Sequence, residues 1–197
     1  TKELGKITLS QLLNSIKNPK DSVKDIFLRI REAAEKGDEQ LKRTLKEQLY
    51  YFLPSVQLDG NGRCLNNVIS YNDIIIVEFD KIPFAKELKQ FLFDNIKCVH
   101  ASFLSSSGKG CKVIIRSEKF SSVEEYKEYF NALAYSFSNI KGFDPVNTNI
   151  VQPFYLTIDE ELLIRPWEET EKWNRKGGRI NSFKVFDGEF EPIENVS

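Results

Sequence analysis

The stretch DIIIVEFD, residues 73–80, decides the fold of this 197-residue chain. It is a nearly continuous run of apolar, mostly β-branched residues, which predicts a buried central strand. Outward from it lie, in chain order, a helix pattern over 83–95, strand patterns over 97–105 and 112–117, a long helix pattern over 121–140 and a strand pattern over 153–158. The middle of the chain therefore alternates between strands and helices.

The order strand, helix, strand, strand, helix, strand predicts an α+β fold with an RRM-like, split βαβ core. Such a core is an antiparallel four-stranded sheet with its helices on one face. Helical patterns fill the first fifty residues, where Thr8 and Gln11 have the spacing of a capping box. A second helix pattern runs from Asp21 to Gly37, and a third follows it.

The tail predicts a short helix, a basic glycine loop over 175–179 and a hairpin that turns at Asp187 and Gly188. The basic loop fits either a single-strand contact or an ordinary solvated surface loop. We therefore expect three regions: an N-terminal helical region over 1–50, a core over 51–166 and a C-terminal helix and hairpin appendage over 167–197.

The charges nearly cancel, with 28 basic and 29 acidic residues, so any polyanion site must be local. No apolar run is long enough to cross a bilayer, and no signal-peptide layout opens the chain, which predicts a cytoplasmic protein without membrane contact. The three cysteines are widely spaced and predict free thiols. The chain has no methionine, from which we expect a piece of a longer protein with further domains.

The single histidine, His100, lies in an apolar strand pattern, which favours a core residue over a catalytic base. The sharpest chemical feature is the pair Glu78 and Asp80. Alternate residues of a strand share a face, so their Cα atoms lie about 7 Å apart and both carboxylates can reach a divalent cation. A strand that simply ends in solvent with two acids explains the spacing equally well.

The turn SSSGKG, residues 105–110, stands directly before the strand that contains Lys112. Phe103 and Gly110 exclude a Walker loop, because that motif needs glycine and then Ser or Thr at these positions. The turn fits either an anion nest with serine hydroxyls and lysines, or a plain hairpin turn. Asp144, in GFDPVN, fits an ordinary turn starter on its own.

An acid-x-acid pair, a Ser-x-Ser-Gly-x-Gly-x-Lys turn and an aspartate after a long helix follow one another in this chain. In this order they resemble the archaeo-eukaryotic primase-polymerase superfamily, and most of all its VirE-type N-terminal primase-like domains of phages and bacterial mobile elements. The resemblance runs from Leu53 to Pro166 and includes LPSV, Gly62-Arg63, VEFD, SSSGKGCKVII, the helix over 122–140 and FDPVNTNIVQPFYLTIDEEL.

The resemblance implies an RRM-like catalytic core and a template-dependent nucleotidyltransferase that extends DNA on a single-stranded template in phage or mobile-element replication. It implies that Glu78, Asp80 and Asp144 are catalytic acids that bind Mg²⁺ or Mn²⁺. The implied ligands of the nucleoside triphosphate are Ser105, Ser107, Gly108, Lys109, Gly110, Lys112, Arg63 and Arg116. A helicase or further domains outside this chain are implied partners.

Three departures from the superfamily pattern predict weak activity. Glu78 stands where aspartate is usual, Lys112 where many members have histidine, and Gln152 where an arginine is expected. The alternative is a catalytically inactive primase-like module that binds nucleic acid or a partner protein. A plain RRM-like single-strand binder is a third reading, although the strand over 111–116 lacks the aromatic residues that such proteins use.

Overall fold

The computed structural model describes residues 5–145 and 148–174, together with the backbone of 183–186 and 189–192. These residues form a mixed α+β structure with antiparallel sheets, as the sequence predicts. The helices of the described part are Leu9–Lys17 (α1), Asp21–Lys36 (α2), Glu39–Lys46 (α3), Ala85–Asn95 (α4) and Val123–Phe137 (α5). Short 3₁₀ helices cover Leu65–Asn67 and Trp167–Glu169.

The strands are Tyr51–Phe52 (β1), Val56–Leu58 (β2), Val68–Tyr71 (β3), Ile74–Asp80 (β4), Val99–Leu104 (β5), Gly110–Arg116 (β6), Phe154–Tyr155 (β7), Leu163–Ile164 (β8), Phe183–Phe186 (β9) and Glu189–Pro192 (β10). A central sheet has the order β4-β6-β5-β8, and three two-stranded sheets pair β1 with β7, β2 with β3 and β9 with β10. The pairing of β9 with β10 is the predicted tail hairpin, whereas Asp187, Gly188 and the loop over 175–179 lie outside the described residues.

β6 lies between β4 and β5 and is antiparallel to both, so β4 and β5 run parallel to each other. α4 connects these two strands and packs against β5 and β6. Side chains of β4 at Ile75, Val77 and Phe79 are fully buried in a core that α4 and α5 complete. Helices therefore cover this face of the sheet, as the sequence predicts.

The opposite face of the sheet is also covered by a helix, which corrects the prediction of helices on one face only. Ile76, Phe103 and Ile114 share a second core with Leu13 and Ile16 of α1. Full burial of such a side chain stabilises the fold by about 1.5–3 kcal/mol. β4 is apolar on both faces over its first half because both faces are covered there.

β4 lies at the edge of the central sheet, whereas the sequence predicts a central position. Its free edge is covered by the segment over 142–144. The Asp80 N–H donates to the Gly142 carbonyl at 2.7 Å, and the Asp144 N–H donates to the Glu78 carbonyl at 2.9 Å. The strand is therefore shielded from water on both edges near its end, although only one edge has a full partner strand.

The predicted strand over 153–158 is wrong in length and in position. It forms only β7, which pairs with β1, and β8 occupies the fourth place in the central sheet. Side chains take the place of a backbone ladder after β7. The Thr157 hydroxyl donates to the Leu104 carbonyl at 3.0 Å, and the Asp159 carboxylate accepts from the Leu104 N–H at 2.8 Å.

Asp159 also belongs to a buried ion pair between α4 and the segment that follows β7. The Lys89 ammonium lies 2.9 Å from the Asp159 carboxylate and donates to the Glu161 carbonyl at 2.8 Å. Only 4% of the Lys89 side chain and 3% of the Asp159 side chain are exposed. This pair fixes the position of the segment relative to the sheet.

The predicted N-terminal helices are confirmed. The Thr8 hydroxyl accepts from the Gln11 N–H at 3.1 Å, and the Gln11 side chain accepts from the Thr8 N–H, which completes the capping box. Gly37 caps the C-terminal end of α2, and its φ of 72° suits glycine. His100 is buried against the Trp167 ring, as a core histidine should be.

The three cysteines are free, with Cys98 and Cys111 buried and Cys64 exposed. No helix in the described part of the chain is long and apolar enough to span a membrane.

Candidate functional site

Glu78 and Lys112 face each other across β4 and β6. The antiparallel register sets Glu78 opposite Lys112 and Asp80 opposite Gly110. The Lys112 ammonium forms an ion pair with the Glu78 carboxylate, and their side chains are 8% and 15% exposed. Alternation along the strands places Glu78, Asp80 and Lys112 on the α1 side of the sheet. The predicted acid pair and the predicted lysine therefore meet at one corner.

Asp144 reaches this corner from the free edge of β4. Gly142 makes the approach possible, because its φ is +84° and a Cβ atom there would lie 2.5 Å from the Asp80 carbonyl oxygen. The negative charge of Asp144 raises the pKa of both Asp80 and Lys112. The structure thus brings the third predicted acid beside the first two.

Lys46, the last residue of α3, is a member of the site that the sequence reasoning missed. Its side chain is half-buried, and its positive charge lowers the pKa of both Asp80 and Lys112. The available signal was the spacing of Lys42 and Lys46, which places both on one face of α3. We define the charged cluster as Glu78, Asp80, Asp144, Lys112 and Lys46.

Burial opposes charge on the central members of the cluster. It raises the pKa of Asp80, an effect that Lys46 opposes and Asp144 reinforces. It lowers the pKa of Lys112, an effect that Lys46 reinforces, whereas Asp144 and the ion pair with Glu78 favour the charged ammonium. Such opposed shifts in adjacent groups are typical of functional sites.

The turn over 105–110 is in direct contact with the end of β4. A Cβ atom at Gly110 would lie 2.3 Å from the Phe79 carbonyl oxygen and 2.9 Å from Asp80 Oδ1. The Ile82 N–H donates to the Lys109 carbonyl at 3.0 Å, which fixes the turn to the residues after β4. Glycine at position 110 therefore permits the close approach of the turn to the acids.

Within the turn, the backbone forms a hydrogen-bonded hairpin connection. The Ser105 N–H donates to the Gly110 carbonyl at 2.8 Å, and the Gly108 N–H donates to the Ser105 carbonyl at 2.9 Å. The Ser105 and Ser107 hydroxyl oxygens lie 3.2 Å apart. Gly108 has a φ of 72°, which a residue with a side chain rarely adopts.

Lys109 is directed to α2. Its ammonium donates to the carbonyl of Ala34 at 2.5 Å, and Gly108 packs against Arg31 of the same helix. A cation at the C-terminal end of a helix satisfies its last carbonyl groups and stabilises it. This contact gives Lys109 a structural role that the sequence does not suggest.

The two predicted arginines bind backbone carbonyls, and Arg116 lies far from the charged cluster. Arg116 opposes Ile74 at the other end of β4, about 20 Å along the strand from Asp80. Its guanidinium donates to the Trp167 carbonyl at 2.6 Å and to the Thr170 carbonyl at 2.7 Å. Arg63 donates to the Val151 carbonyl at 3.0 Å. Both arginines bind backbone carbonyls.

The three acids of the cluster are not arranged as a ready-made metal centre in the described residues. Among the described residues, no group of three His, Cys, Asp or Glu side chains is placed to hold one. The Glu78 carboxylate is already bound to the Lys112 ammonium, and Lys46 partly neutralises Asp80. The lysines occupy the electrostatic role that a bound cation would otherwise have.

A cleft of about 1210 Å³ opens at the other end of β4. Aromatic side chains of Tyr50, Tyr71 and Trp167 line it together with Lys6 and Lys119. Tyr50 is 72% exposed. Sequence reasoning missed this cleft because its walls come from α1, β1–β3 and the 3₁₀ helix at Trp167, which are far apart in the chain.

Comparison with known proteins gives one family. No curated protein and no solved structure matches the chain significantly. Residues 44–163 match the sequence model of the family described as BT4734-like, N-terminal domain, and this range includes every member of the charged cluster. Because the match covers well over half of the chain, this protein belongs to the BT4734-like N-terminal domain family.

Proposed function

We propose that this chain is a primase-polymerase domain that binds a nucleoside triphosphate at the charged cluster. It would join nucleotides on a single-stranded DNA template during phage or mobile-element replication. The observation that supports the proposal best is the convergence of Glu78, Asp80, Asp144 and the turn over 105–110 at one corner of the sheet. Carboxylates that can hold a divalent cation, next to cations that bind phosphates, are the parts that nucleotidyl transfer uses.

The arrangement of the central sheet is consistent with the proposal. Two parallel strands, β4 and β5, flank β6, and α4 and α5 cover one face. This arrangement agrees with an RRM-like core, which the primase-polymerase superfamily shares. The departure is the fourth strand, since β8 lies beside β5 and the segment over 142–144 lies beside β4.

The proposal assigns distinct roles to the residues of the cluster. Lys112 binds the triphosphate, and Glu78 orients the Lys112 ammonium through their ion pair. Asp80 lies at the end of β4 and faces the reacting groups, and partial burial raises the pKa of its carboxyl, with a smaller contribution from the charge of Asp144. The close approach of Gly110 holds the turn beside Asp80.

Mg²⁺ or Mn²⁺ stays a prediction for this site. A divalent ion neutralises the charge that develops during phosphoryl transfer. The ion pair between Glu78 and Lys112 does not leave Glu78 open to such an ion. The roles above are therefore those of the protein's own groups.

The cleft at the other end of β4 is the surface that we propose for the template. Exposed aromatic rings stack on the bases of single strands, and lysines at the rim attract the backbone. Replacing Tyr50 with alanine should weaken binding of labelled single-stranded DNA, measured by fluorescence anisotropy. Tyr135→Ala is the matched control, because Tyr135 is 60% exposed on α5 and does not line the cleft. Equal loss in both variants would reject this assignment.

A synthesis assay tests the proposed activity. The protein is incubated with single-stranded template, Mn²⁺ and labelled ribo- or deoxynucleotides, with and without primer. We expect template-dependent product that falls about 100-fold or more in the double variant Glu78→Ala, Asp80→Ala. The control is Glu87→Ala, Asp94→Ala, which removes two exposed acids from α4. Product that persists in the first variant would reject the proposed catalytic acids.

The second candidate is a catalytically inactive primase-like module that binds nucleic acid or a partner protein. The observation in its favour is that Lys112 already neutralises Glu78. Such a module would give no product under any metal, together with single-strand binding that the Glu78→Ala, Asp80→Ala variant retains. The synthesis assay and the anisotropy measurement together separate the two candidates.

A further inference from the structure

Trp167 lines the cleft at the other end of β4, and its side chain is held there by two residues of the central sheet. The residue is only partly buried. The Arg116 guanidinium lies over the indole, 4.6 Å from the ring centre, and the His100 ring meets it nearly edge-on, with 4.9 Å between the ring centres. Packing and a cation–π contact therefore fix the plane of the indole at the wall of the cleft.

Arg116 also fixes the backbone of the 3₁₀ helix that presents Trp167. Its guanidinium donates to the Trp167 carbonyl and to the Thr170 carbonyl. Thr170 is held in turn, because its hydroxyl donates to the Pro166 carbonyl at 2.9 Å and lies 3.3 Å from His100 Nδ1. A ring that is held in this way loses little conformational entropy when a flat ligand stacks on it.

The charges of the cleft do not favour a polyanion by themselves. Among the described residues that line it, Lys6 and Lys119 are opposed by Asp59 and Asp73. A single strand bound here gains little from counterion release, because that gain grows with the number of phosphates that a protein neutralises. Stacking of bases on aromatic rings is the contribution that does not need such charge.

We propose that Trp167 is the main base-stacking residue of the cleft and that Arg116 is its positioning residue. This inference rests on the proposed function and deepens it, because it names the contact that supplies most of the affinity for the template. The ligand is an unpaired base of single-stranded DNA. Arg116 then acts through Trp167, whereas the resemblance to primase-polymerases implies a direct contact with phosphate.

Tryptophan fluorescence tests the stacking directly, because the chain has two tryptophans and the other one is buried. Trp173 is 6% exposed and packs against the Tyr129 ring, with 5.5 Å between the ring centres. A base that stacks on an indole also quenches its fluorescence. In Trp173→Phe, an oligothymidylate should therefore quench the remaining emission, whereas in Trp167→Phe it should leave the emission of Trp173 unchanged. If Trp173→Phe does not fold, the comparison of wild type with Trp167→Phe gives the same answer.

Anisotropy of the labelled oligonucleotide measures the affinity in parallel. Trp167→Ala should weaken binding by about 10- to 100-fold, the effect of one lost stacking contact, and Trp167→Phe should retain most of the affinity. The logarithm of the binding constant should fall with the logarithm of the salt concentration with a slope no steeper than about −1.4. Each neutralised phosphate of a single strand contributes about −0.7 to this slope, and two lysines are among the described residues that line the cleft.

Variants of Arg116 separate positioning from a phosphate contact. Arg116→Lys keeps the charge and loses the planar guanidinium that spans two carbonyls. A positioning role predicts weaker binding in Arg116→Lys, weaker quenching of Trp167 at saturation and an unchanged salt slope. A phosphate contact predicts retained affinity in Arg116→Lys and a slope shallower by about 0.7 in Arg116→Met.

Arg165→Lys is the matched control for Arg116→Lys. The Arg165 guanidinium also lies over an aromatic ring, 4.8 Å from the centre of Phe93, and it also donates to backbone carbonyls. Arg165 does not line the cleft, so Arg165→Lys should bind the oligonucleotide as wild type does. An equal loss of affinity in both variants would reject the positioning role of Arg116.

The remaining outcomes distinguish this inference from the proposed function. Binding of the oligonucleotide without quenching of Trp167 would reject Trp167 as the stacking residue and leave the cleft as the template surface. A salt slope much steeper than about −1.4 would reject stacking as the main source of affinity. Failure of the wild-type protein to bind the oligonucleotide would reject both the inference and the proposed template surface.

Discussion

Two buried lysine–carboxylate pairs in this protein have the same chemistry and different surroundings. Lys89 and Asp159 have only neutral partners beyond each other, because Lys89 also binds the Glu161 carbonyl and Asp159 accepts from the N–H groups of Leu104 and Glu161. Lys112 and Glu78 instead lie among Lys46, Asp80 and Asp144. The first pair is fully satisfied and holds the fold together, whereas the second is crowded with further charge.

These surroundings separate an ion pair that only stabilises the fold from one that we propose to bind a ligand. A satisfied pair gains nothing from a ligand, because every polar atom already has its partner. A crowded pair keeps unbalanced charge that a charged ligand can neutralise, and groups whose pKa values are shifted by such neighbours cluster at functional sites. We therefore expect the two pairs to respond oppositely to mutation.

The largest expected effect is on stability at the first pair. Lys89→Met leaves Asp159 buried and without its cation, which should lower the free energy of unfolding by about 3–5 kcal/mol. Urea denaturation monitored by circular dichroism measures this loss. The double variant Lys89→Met, Asp159→Leu should recover part of it, and a loss under about 1 kcal/mol in the single variant would contradict the architectural role.

Lys112→Met should destabilise the protein less, by about 1–3 kcal/mol. The Glu78 side chain is 15% exposed, so water can solvate its carboxylate after the change. The same denaturation experiment gives the comparison. An equal loss in the free energy of unfolding for Lys112→Met and Lys89→Met would contradict the proposed difference between the two pairs.

The next prediction concerns how the free energy of unfolding depends on pH through Asp80, a member of the charged cluster. Burial raises the pKa of this carboxyl above its ordinary 3.8, so its ionisation disfavours the folded state as pH rises through that range. Asp80→Asn should therefore increase the free energy of unfolding at pH 7, by less than about 1 kcal/mol because water reaches part of the Asp80 side chain and screens its charge. The gain should vanish below pH 3.8, where Asp80 is protonated in both states. A gain that is equal at pH 3 and pH 7 would show that charge is not its cause.

The smallest expected effect is at an exposed pair, which provides the baseline. Lys36 and Glu32 form an ion pair on the surface of α2, with side chains 69% and 61% exposed. Lys36→Met should leave the urea midpoint of unfolding close to the wild-type value, because water screens an exposed ion pair. A loss comparable to that of Lys112→Met would mean that burial does not distinguish these pairs.

Local patterns were sufficient to predict most elements of the fold. The capping box at Thr8, the glycine end of α2 and the apolar run of β4 each depend on neighbours in sequence. The fourth strand could not be predicted in the same way, because the segment over 153–158 is held by Thr157 and Asp159 side chains instead of a ladder. Cover on the second face of the sheet likewise depends on where α1 packs.

The sequence was sufficient to predict that Glu78, Asp80 and Lys112 lie close together. Alternation along each strand and one antiparallel register place them on the same face of the sheet. Lys46 and the structural role of Lys109 were not predictable. The Lys109 ammonium meets a carbonyl 75 residues away in sequence, and Lys46 enters the site only because α3 packs where it does. Such contacts depend on tertiary packing, which propensity and periodicity do not encode.

The central claim is that the pair Lys112–Glu78 belongs to a nucleotide site and the pair Lys89–Asp159 does not. The most direct measurement is the rise in melting temperature that a saturating nucleoside triphosphate produces in wild type, Lys112→Met and Lys89→Met, Asp159→Leu. A ligand stabilises a folded protein only to the extent that it binds the folded state. We predict a rise in wild type and in the Lys89, Asp159 variant and little or none in Lys112→Met, whereas an equal rise in all three proteins would contradict the account.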